Sequence, residues 1–353
     1  MEIYVLDKDI NILGVFSTYE AIIWNPKLHQ PGIFKAQFVF TKKMNSILQL
    51  GNLLYKDDED EPAIITRKYL VLNKRGEQLI TVQGYMASRY LNQRIIWNKM
   101  VMRGTPEQLM RQMVLEQVVS PSDPDRRMPR IQLAPFKGIN QEAVEKQVTY
   151  DNLQEALTAV ATTAELGYRL RLDVAERMFT FEIYQGVDRT LGTEKPCIFT
   201  RDFGNVYTQN YSEDDTNFRN ICLVGGPGED ASRVMRTVGS AAGIERYEMF
   251  YNASGISEKD ITRAELLAQL DQKGKEKMAS YYIAKAFESK INQQKAMAFS
   301  LGDYVTCTDS EWNVAVNTQV KAIEKGFSKS EESFVATFGD DVPTLVDLIK
   351  AKE

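Results

Sequence analysis

The stretch YRLRLDVAERMFTFEIYQGVDRT, residues 168–190, has the pattern of a two-stranded β-hairpin that runs into a glycine-containing turn. Apolar and polar side chains alternate on both sides of a polar turn predicted at 175–177, and the apolar positions are Leu170, Leu172, Phe179, Phe181 and Ile183. A period of two gives a strand one apolar face and one wetted face. We therefore predict a half-buried hairpin near the middle of the chain.

The turn after this hairpin carries Gly186, Asp188 and Arg189. Glycine adopts backbone angles that are closed to other residues, so a sharp turn at Gly186 would aim the acid and the base inward. One interpretation is a structural turn in which the carboxylate and the guanidinium bind each other or nearby backbone. The other is a catalytic Asp/Arg pair. No nucleophile or base lies close by in the sequence, which favours the structural interpretation.

The composition is that of a soluble globular protein. The chain has 353 residues, of which 43% are hydrophobic and 26% charged, and this length predicts two or three domains. No run of about 18 apolar residues predicts a membrane span, and the start MEIYVLDKD lacks the chemistry of a signal peptide. We expect a chain made and folded in a bacterial cytoplasm, without membrane insertion.

The sequence predicts neither a metal site nor a cofactor site. Cys197, Cys222 and Cys307 are widely spaced and lie in apolar, strand-like settings, which argues against both a disulfide framework and a zinc site. The single histidine, His29, is expected to be a solvated loop residue. A net charge of −5 argues against sequence-independent binding of duplex DNA, which requires a basic surface.

The chain divides into three predicted regions. Residues 1–100 are mostly β, and their many short strands predict a closed barrel or a sandwich. Residues 101–200 form an α+β middle region that contains the hairpin. Residues 201–353 return to β, with a helical insertion near 257–290. Strands are predicted at Ile12–Phe16, Ala21–Trp24, Phe34–Phe40, Ala63–Thr66, Tyr69–Leu72, Tyr207–Tyr211, Ser232–Val238, Tyr247–Tyr251, Ala296–Ser300, Tyr304–Thr308, Trp312–Ile323 and Phe334–Phe338.

Four helices are predicted from capping residues and apolar periodicity. One begins after Thr105, whose hydroxyl, followed by Pro106, is a typical N-terminal signal. A second is capped by Asp151 and ends at Gly167. A third covers 257–274, and a short fourth helix, 344–350, follows the last predicted strand.

Two polar segments invite a functional interpretation and are given a structural one. The acidic run at 57–61 lacks the alternating ligand spacing and the central glycine of a Ca²⁺ loop, so we expect a solvated hairpin tip. Gly225 and Gly226 end a strand in a glycine-rich stretch. No lysine and no helix follow them, so the stretch predicts a hairpin turn and not a phosphate loop.

Several stretches in their order along the chain resemble the siphophage tail-hub family of tail-associated, baseplate-hub-like proteins. They are MEIYVLDKDINILGVFSTYEAIIW at the start, DDEDEPAIIT, the central YQGVDRT, RNICLVGG, GIERYEMF, the late LGDYVTC and the terminal FGDD. The resemblance extends from Met1 to Glu353 and implies two tube-type β-barrels joined by smaller α+β domains. It also implies that the recurring turns at Gly186, Asp188, Arg189, Gly225, Gly226, Gly302 and Asp303 are structural positions.

Two classes of function follow. The resemblance implies a homotrimeric hub in the virion tail, a ring of six barrels that contacts the tail tube, distal tail and tip proteins and meets DNA only as it passes through the lumen. The alternative is a tail-tip protein that degrades cell wall or binds a carbohydrate or receptor. A glycosidase needs two carboxylates across a cleft, and no recognisable motif frames such a pair here.

Overall fold

The computed structural model of the chain describes residues 1–72, 76–139, 142–256, 261–281, 283–293, 295, 298–329 and 331–339. The helix predicted at 344–350 lies outside these residues, as do the first residues of the helix predicted at 257–274. The described chain is mainly β with separate helices, which confirms the predicted α+β, mainly β class.

The first hundred residues are built from strands. These are β1 Ile3–Leu6, β2 Ile12–Phe16, β3 Ala21–Asn25, β4 Ile33–Val39, β5 Leu53–Tyr55, β6 Ala63–Leu72 and β7 Gln78–Met86. Strand β6 unites two segments predicted as separate strands, because a bulge between Ile65 and Arg67 keeps the polar residues in the sheet. Helix α1, Lys42–Ile47, was not predicted; its first turn is capped by the Thr41 hydroxyl.

The middle of the chain contains β8 Met100–Gly104, α2 Pro106–Val114, β9 Ile131–Leu133, β10 Val144–Val148, α3 Leu153–Thr163, β11 Gly167–Asp173 and β12 Met178–Tyr184. The predicted hairpin is confirmed: β11 and β12 pair antiparallel, and β9 adds to β12 in parallel. The predicted cap at Thr105 is also confirmed, as part of a capping box with Gln108.

The predicted ends of the second helix are wrong. Its cap is Asn152 and not Asp151, because the Asn152 side chain accepts hydrogen bonds from the backbone N–H groups of Gln154 and Glu155. The helix ends four residues before Gly167, which instead opens strand β11.

The last part of the described chain contains β13 Ile198–Phe199, β14 Val206–Asp214, β15 Ile221–Gly225, β16 Met235–Val238, β17 Glu248–Asn252, α4 Arg263–Met278, β18 Ala284–Ile291, β19 Tyr304–Asp309, β20 Val314–Ser328 and β21 Glu332–Gly339. The strand predicted at 296–300 is wrong for residues 298–300, which form no strand. Residues 296 and 297 lie outside the described residues. Strand β18, which was missed, precedes this segment.

One sheet connects the first and the last β regions. Its strand order is β14-β18-β21-β20-β3-β4-β7-β6-β5-β1-β2, with β19 on β20 and β13 on β19. The connection is the antiparallel pairing of β3 with β20, from Trp24 opposite Lys325 to Ala21 opposite Ser328. Among the described residues these pairings do not close a barrel.

The described residues form four apolar cores. One lies on the first β region and contains Trp24, Phe34 and Phe38. Another lies on the last β region and contains Phe199, Phe287 and Phe338. The third packs α2 and α3 against the central hairpin. The fourth packs α4 against a small sheet, β16-β15-β17.

Candidate functional site

The turn after the central hairpin packs against the segment that precedes β19. We call this contact the junction and define it as residues 184–190 against residues 300–304. Its backbone is held by two hydrogen bonds, from Tyr304 N to Val187 O (3.0 Å) and from Arg189 N to Tyr304 O (2.8 Å). The junction thus joins the middle region to the last β region.

A buried carboxylate lies at the centre of the junction. Asp303 is only 2% exposed. It accepts hydrogen bonds from Val187 N at 2.8 Å, from Arg189 Nε at 2.9 Å and from Ser300 N at 2.9 Å. A buried carboxylate is tolerated when it is paired and hydrogen-bonded in this way. Asp303 therefore fastens the two chain segments together and has a structural environment.

Two glycines allow the segments to approach each other. A Cβ atom on Gly186 would lie 1.8 Å from the backbone oxygen of Gly302, a distance that backbone atoms cannot relieve without moving. Gly302 itself has a φ of +92°, which favours glycine. The expectation that Gly186 is needed for unusual backbone angles is wrong, because its φ is not positive; its role is to leave space.

Asp188 and Arg189 do not bind each other. The Asp188 carboxylate accepts from the backbone N–H and the hydroxyl of Thr190, and these hydrogen bonds lower its pKa, the backbone one foremost. Arg189 instead pairs with Asp303. Backbone contact for the acid was one of the predicted options, but the partner of the arginine, 114 residues away, was not foreseen.

His29 is not a solvated loop residue, contrary to the prediction. Its Nδ1 lies 2.8 Å from Leu166 O, and its Nε2 lies 2.9 Å from the Nζ of Lys321. Because an ammonium only donates, Nε2 accepts from Lys321 and Nδ1 carries the proton that it donates to Leu166. Burial, and then the charge of Lys321, lower the pKa of His29 to about 4.

The acidic run at 57–61 is not wholly a solvated tip, which corrects a second prediction. The carboxyl group of Glu61 accepts from the backbone N–H groups of Ser88 and Leu170, and burial raises its pKa to about 7. Glu59 pairs with the Nζ of Lys325 at 2.7 Å. Burial raises the pKa of Glu59 despite this lysine. The run therefore joins the first β region both to the hairpin and to β20.

One cleft of about 520 Å³ is lined by Glu59, Glu61, Gly186, Arg189 and Asp303. Its walls include aromatic side chains such as Tyr184 and Phe299, and Arg169 lies over the Tyr184 ring at 4.9 Å from its centroid. Arg169 also pairs with Asp60 and Glu182. The carboxylates named above are held by arginine, lysine or backbone groups. The cleft therefore lies where the first β region, the middle region and the last β region meet.

Gly225 and Gly226 lie at a turn in the small sheet, away from the junction. Strand β15 ends at Gly225, and β16 returns antiparallel to it after a single turn of 3₁₀-helix. A Cβ atom on Gly225 would lie 2.6 Å from the Arg233 guanidinium, and one on Gly226 would lie 2.9 Å from Leu270. The guanidinium donates to the backbone oxygens of both glycines.

The remaining predicted chemistry concerns cysteines, metals and membranes. Cys197, Cys222 and Cys307 are buried and unbridged, and burial raises the pKa of each thiol. The described residues contain no cluster of three or more histidine, cysteine or acidic side chains with the geometry of a metal site. Across the same residues, each helix is too short or too polar for a transmembrane span.

The residues that connect these distant parts of the chain were not predicted. Glu61, Lys325 and the His29–Lys321 contact depend on parts of the chain that are far apart in sequence. One local signal existed: Glu61 stands two residues before Ala63, the buried first residue of β6. An acid just before a buried strand lies where the chain enters the interior.

The fold is similar to that of several solved phage tail proteins. The fold is similar to the tail protein from Neisseria meningitidis MC58, with a TM-score of 0.60 at 12% identity over 96% of each chain. It is similar to the 43 kDa tail protein of prophage MuSo2 from Shewanella oneidensis, with a TM-score of 0.59 at 11% identity over 96% of this chain and 100% of that one. It is also similar to the prophage tail protein gp18 from Listeria monocytogenes EGD-e, with a TM-score of 0.58 at 12% identity over 100% of this chain and 99% of that one.

The sequence defines the family. Residues 2–340 match the model of the siphovirus ReqiPepy6 Gp37-like proteins, and the chain belongs to this family. No curated protein matches the chain by sequence. The predicted resemblance to a siphophage tail family is confirmed, and so is the predicted location in the virion tail.

Proposed function

We propose that this chain is a structural hub at the tip of a phage or prophage tail. Three copies would form a ring with pseudo-sixfold symmetry that closes or extends the tail tube and connects it to tip or baseplate proteins. The β3–β20 pairing carries this proposal, because it fixes two β regions of one chain side by side. Three such chains supply six β regions, the number needed for a sixfold tube.

The domain division belongs to this proposal. Residues 1–100 and 201–353 would each be a tube-type barrel, the second with a helical insertion near 257–290, and residues 101–200 would join them. The separate apolar cores on either side of the β3–β20 pairing support two β domains.

A structural role without catalysis is supported over the wall-degrading alternative by the state of the acids. Glycoside hydrolysis requires two carboxyl groups that face a substrate across a cleft. In the cleft next to the junction, Asp303, Glu59 and Glu61 are engaged by arginine, lysine or backbone N–H groups. Hydrolysis of cell-wall polymer by the purified protein would argue for the alternative.

Proposed partners follow from the position in the tail. They are further copies of this chain, the tail tube, and the distal tail and tip proteins, with DNA contacting only the lumen. The net charge of −5 supports passage without retention, since an acidic surface does not hold phosphates.

Light scattering of the purified protein over a concentration series tests the ring. We expect a mass that approaches three times the 40.2 kDa chain mass as the concentration rises. A strict monomer at every concentration, or a dimer, would contradict a ring-forming hub.

A further inference from the structure

Strand β6 has an unpaired edge. Strand β5 pairs with it only at Ala63 and Ile64, and beyond the bulge no described strand pairs with that side of β6. The last four residues of this edge, Tyr69–Leu72, are apolar and exposed: Leu70 is 58% and Leu72 is 69% exposed. A long, exposed, apolar edge is a template for another strand.

A groove runs beside this edge. It has a volume of about 620 Å³ and lies between the end of α1 and residues 66–70 of β6. Leu50, 63% exposed, lies on its far wall. A groove alongside a free edge is the geometry that accepts an added strand, with backbone hydrogen bonds on one side and side-chain pockets on the other.

The β14 strand has the complementary edge. It begins the sheet order, and in the described chain it pairs only with β18. Tyr207 is 62% exposed there, and the strand ends with Glu213 and Asp214. Six strands separate β14 from β6 in the strand order of the sheet, so the two free edges do not pair with each other within one chain.

The charges of the two edges match. Arg67, at the start of the free edge of β6, has no ion pair within the described residues, and Lys68 follows it. An antiparallel pairing that places Arg67 opposite Glu213 also places Tyr69 opposite Tyr211. Opposite charges and aromatic side chains are favourable cross-strand neighbours.

We infer that the β6 edge of one copy, Thr66–Leu72, pairs antiparallel with the β14 edge of a second copy. The inference rests on the proposed ring and names its interface. A contact between two different patches is head-to-tail, and such contacts close into a ring when the rotation allows it. The occupant of the groove is therefore strand β14 of another copy.

Charge reversal tests this interface. The variants are Arg67→Glu, Glu213→Lys and the double variant, and their masses are followed by light scattering. Each single variant places like charges opposite each other at every contact. We expect the concentration at half-assembly to rise about tenfold or more, and the double variant to return towards wild type. Glu213 also contacts Lys285, but that pair is exposed on both sides.

Arg246→Glu is the matched control, because Arg246 is an exposed arginine that pairs with Glu248 in the small sheet, away from both edges. Circular dichroism shows whether each variant folds.

If wild type assembles and both single variants assemble equally well, the edge pairing is wrong while the ring stands. If wild type never assembles, the proposed ring and the proposed edge pairing are both wrong. A third outcome, in which the β6 variant alone loses binding to a tail partner, would assign the groove to that partner and overturn the pairing of copies.

Discussion

Asp303, Gly186 and Gly302 show how single residues set the junction. The carboxylate needs three N–H donors within hydrogen-bond distance, and these come from residues 187, 189 and 300. The donors reach it because Gly186 carries no side chain at the point of closest approach and because Gly302 adopts a φ of +92°. Space and charge are therefore coupled at this position.

Replacing Gly186 with alanine tests that coupling. The added Cβ would meet backbone of Gly302 and Asp303, so the segments must separate and weaken the bond from Val187 N to Asp303. We expect Gly186→Ala to lower the free energy of unfolding by about 2–3 kcal/mol in urea denaturation. Gly255→Ala is the control, because open space surrounds Gly255. Equal stability of the two variants would contradict this account.

Glu61 predicts a pH dependence of stability. Its folded pKa of about 7 lies above the ordinary value of 4.5, so the folded state binds a proton that the unfolded state has released. The stabilisation of the folded state by this proton is fully present below pH 4.5 and is lost as the pH rises through 7. His29 has the opposite sign, because its pKa falls from 6.5 to about 4, and its contribution is lost as the pH falls through that range.

Comparison with Glu61→Gln isolates the glutamate. Between pH 5 and 8, we expect the free energy of unfolding of wild type to fall relative to that of Glu61→Gln by about 1–3 kcal/mol. Urea denaturation at a series of pH values measures the difference. Glu176→Gln, in the exposed turn of the same hairpin, serves as the control. A pH-independent difference would show that the Glu61 carboxyl group does not change its charge in this window.

At the scale of elements, local patterns predicted much of the fold. The hairpin of β11 and β12 follows from alternation within 18 residues of sequence, and the start of α2 from a capping residue and a proline. The pairing of β3 with β20 could not be predicted, because it joins residues about 300 positions apart. The alternation of apolar and polar residues in a strand predicts which face is buried but not which strand lies beside it. The same holds for the Arg189–Asp303 pair.

Helix α4 is fixed to the middle region by a buried ion pair. The Nζ of Lys146 lies 2.7 Å from Glu276, and the side chains are 3% and 8% exposed. Removing one partner leaves an uncompensated buried charge, which costs about 3–5 kcal/mol, whereas removing both avoids most of that cost.

We therefore expect Lys146→Met to destabilise the protein strongly and the double variant Lys146→Met/Glu276→Leu to recover most of the loss. Chemical denaturation, with proteolysis to follow α4, measures both. Arg103→Met is the control, because Arg103 forms an exposed pair with Glu145 and should contribute at most about 1 kcal/mol. A double variant as unstable as the single one would contradict the ion-pair explanation.

At the scale of the whole molecule, the chain behaves as two β regions held in fixed relation. They are linked directly by β3 and β20, and again through the cleft, where Glu59 of the first region binds Lys325 of the last. The middle region contacts both, through Glu61 and Leu170 on one side and through the junction on the other. Two β regions linked in this way suit the proposed ring of pseudo-sixfold symmetry.

Electron microscopy of the purified protein, at a concentration where light scattering reports assembly, tests the hub most directly. We predict two-dimensional averages that show a ring with a central opening, threefold symmetry and six similar lobes. Rings with another number of lobes, or compact particles without an opening, would contradict the proposed hub.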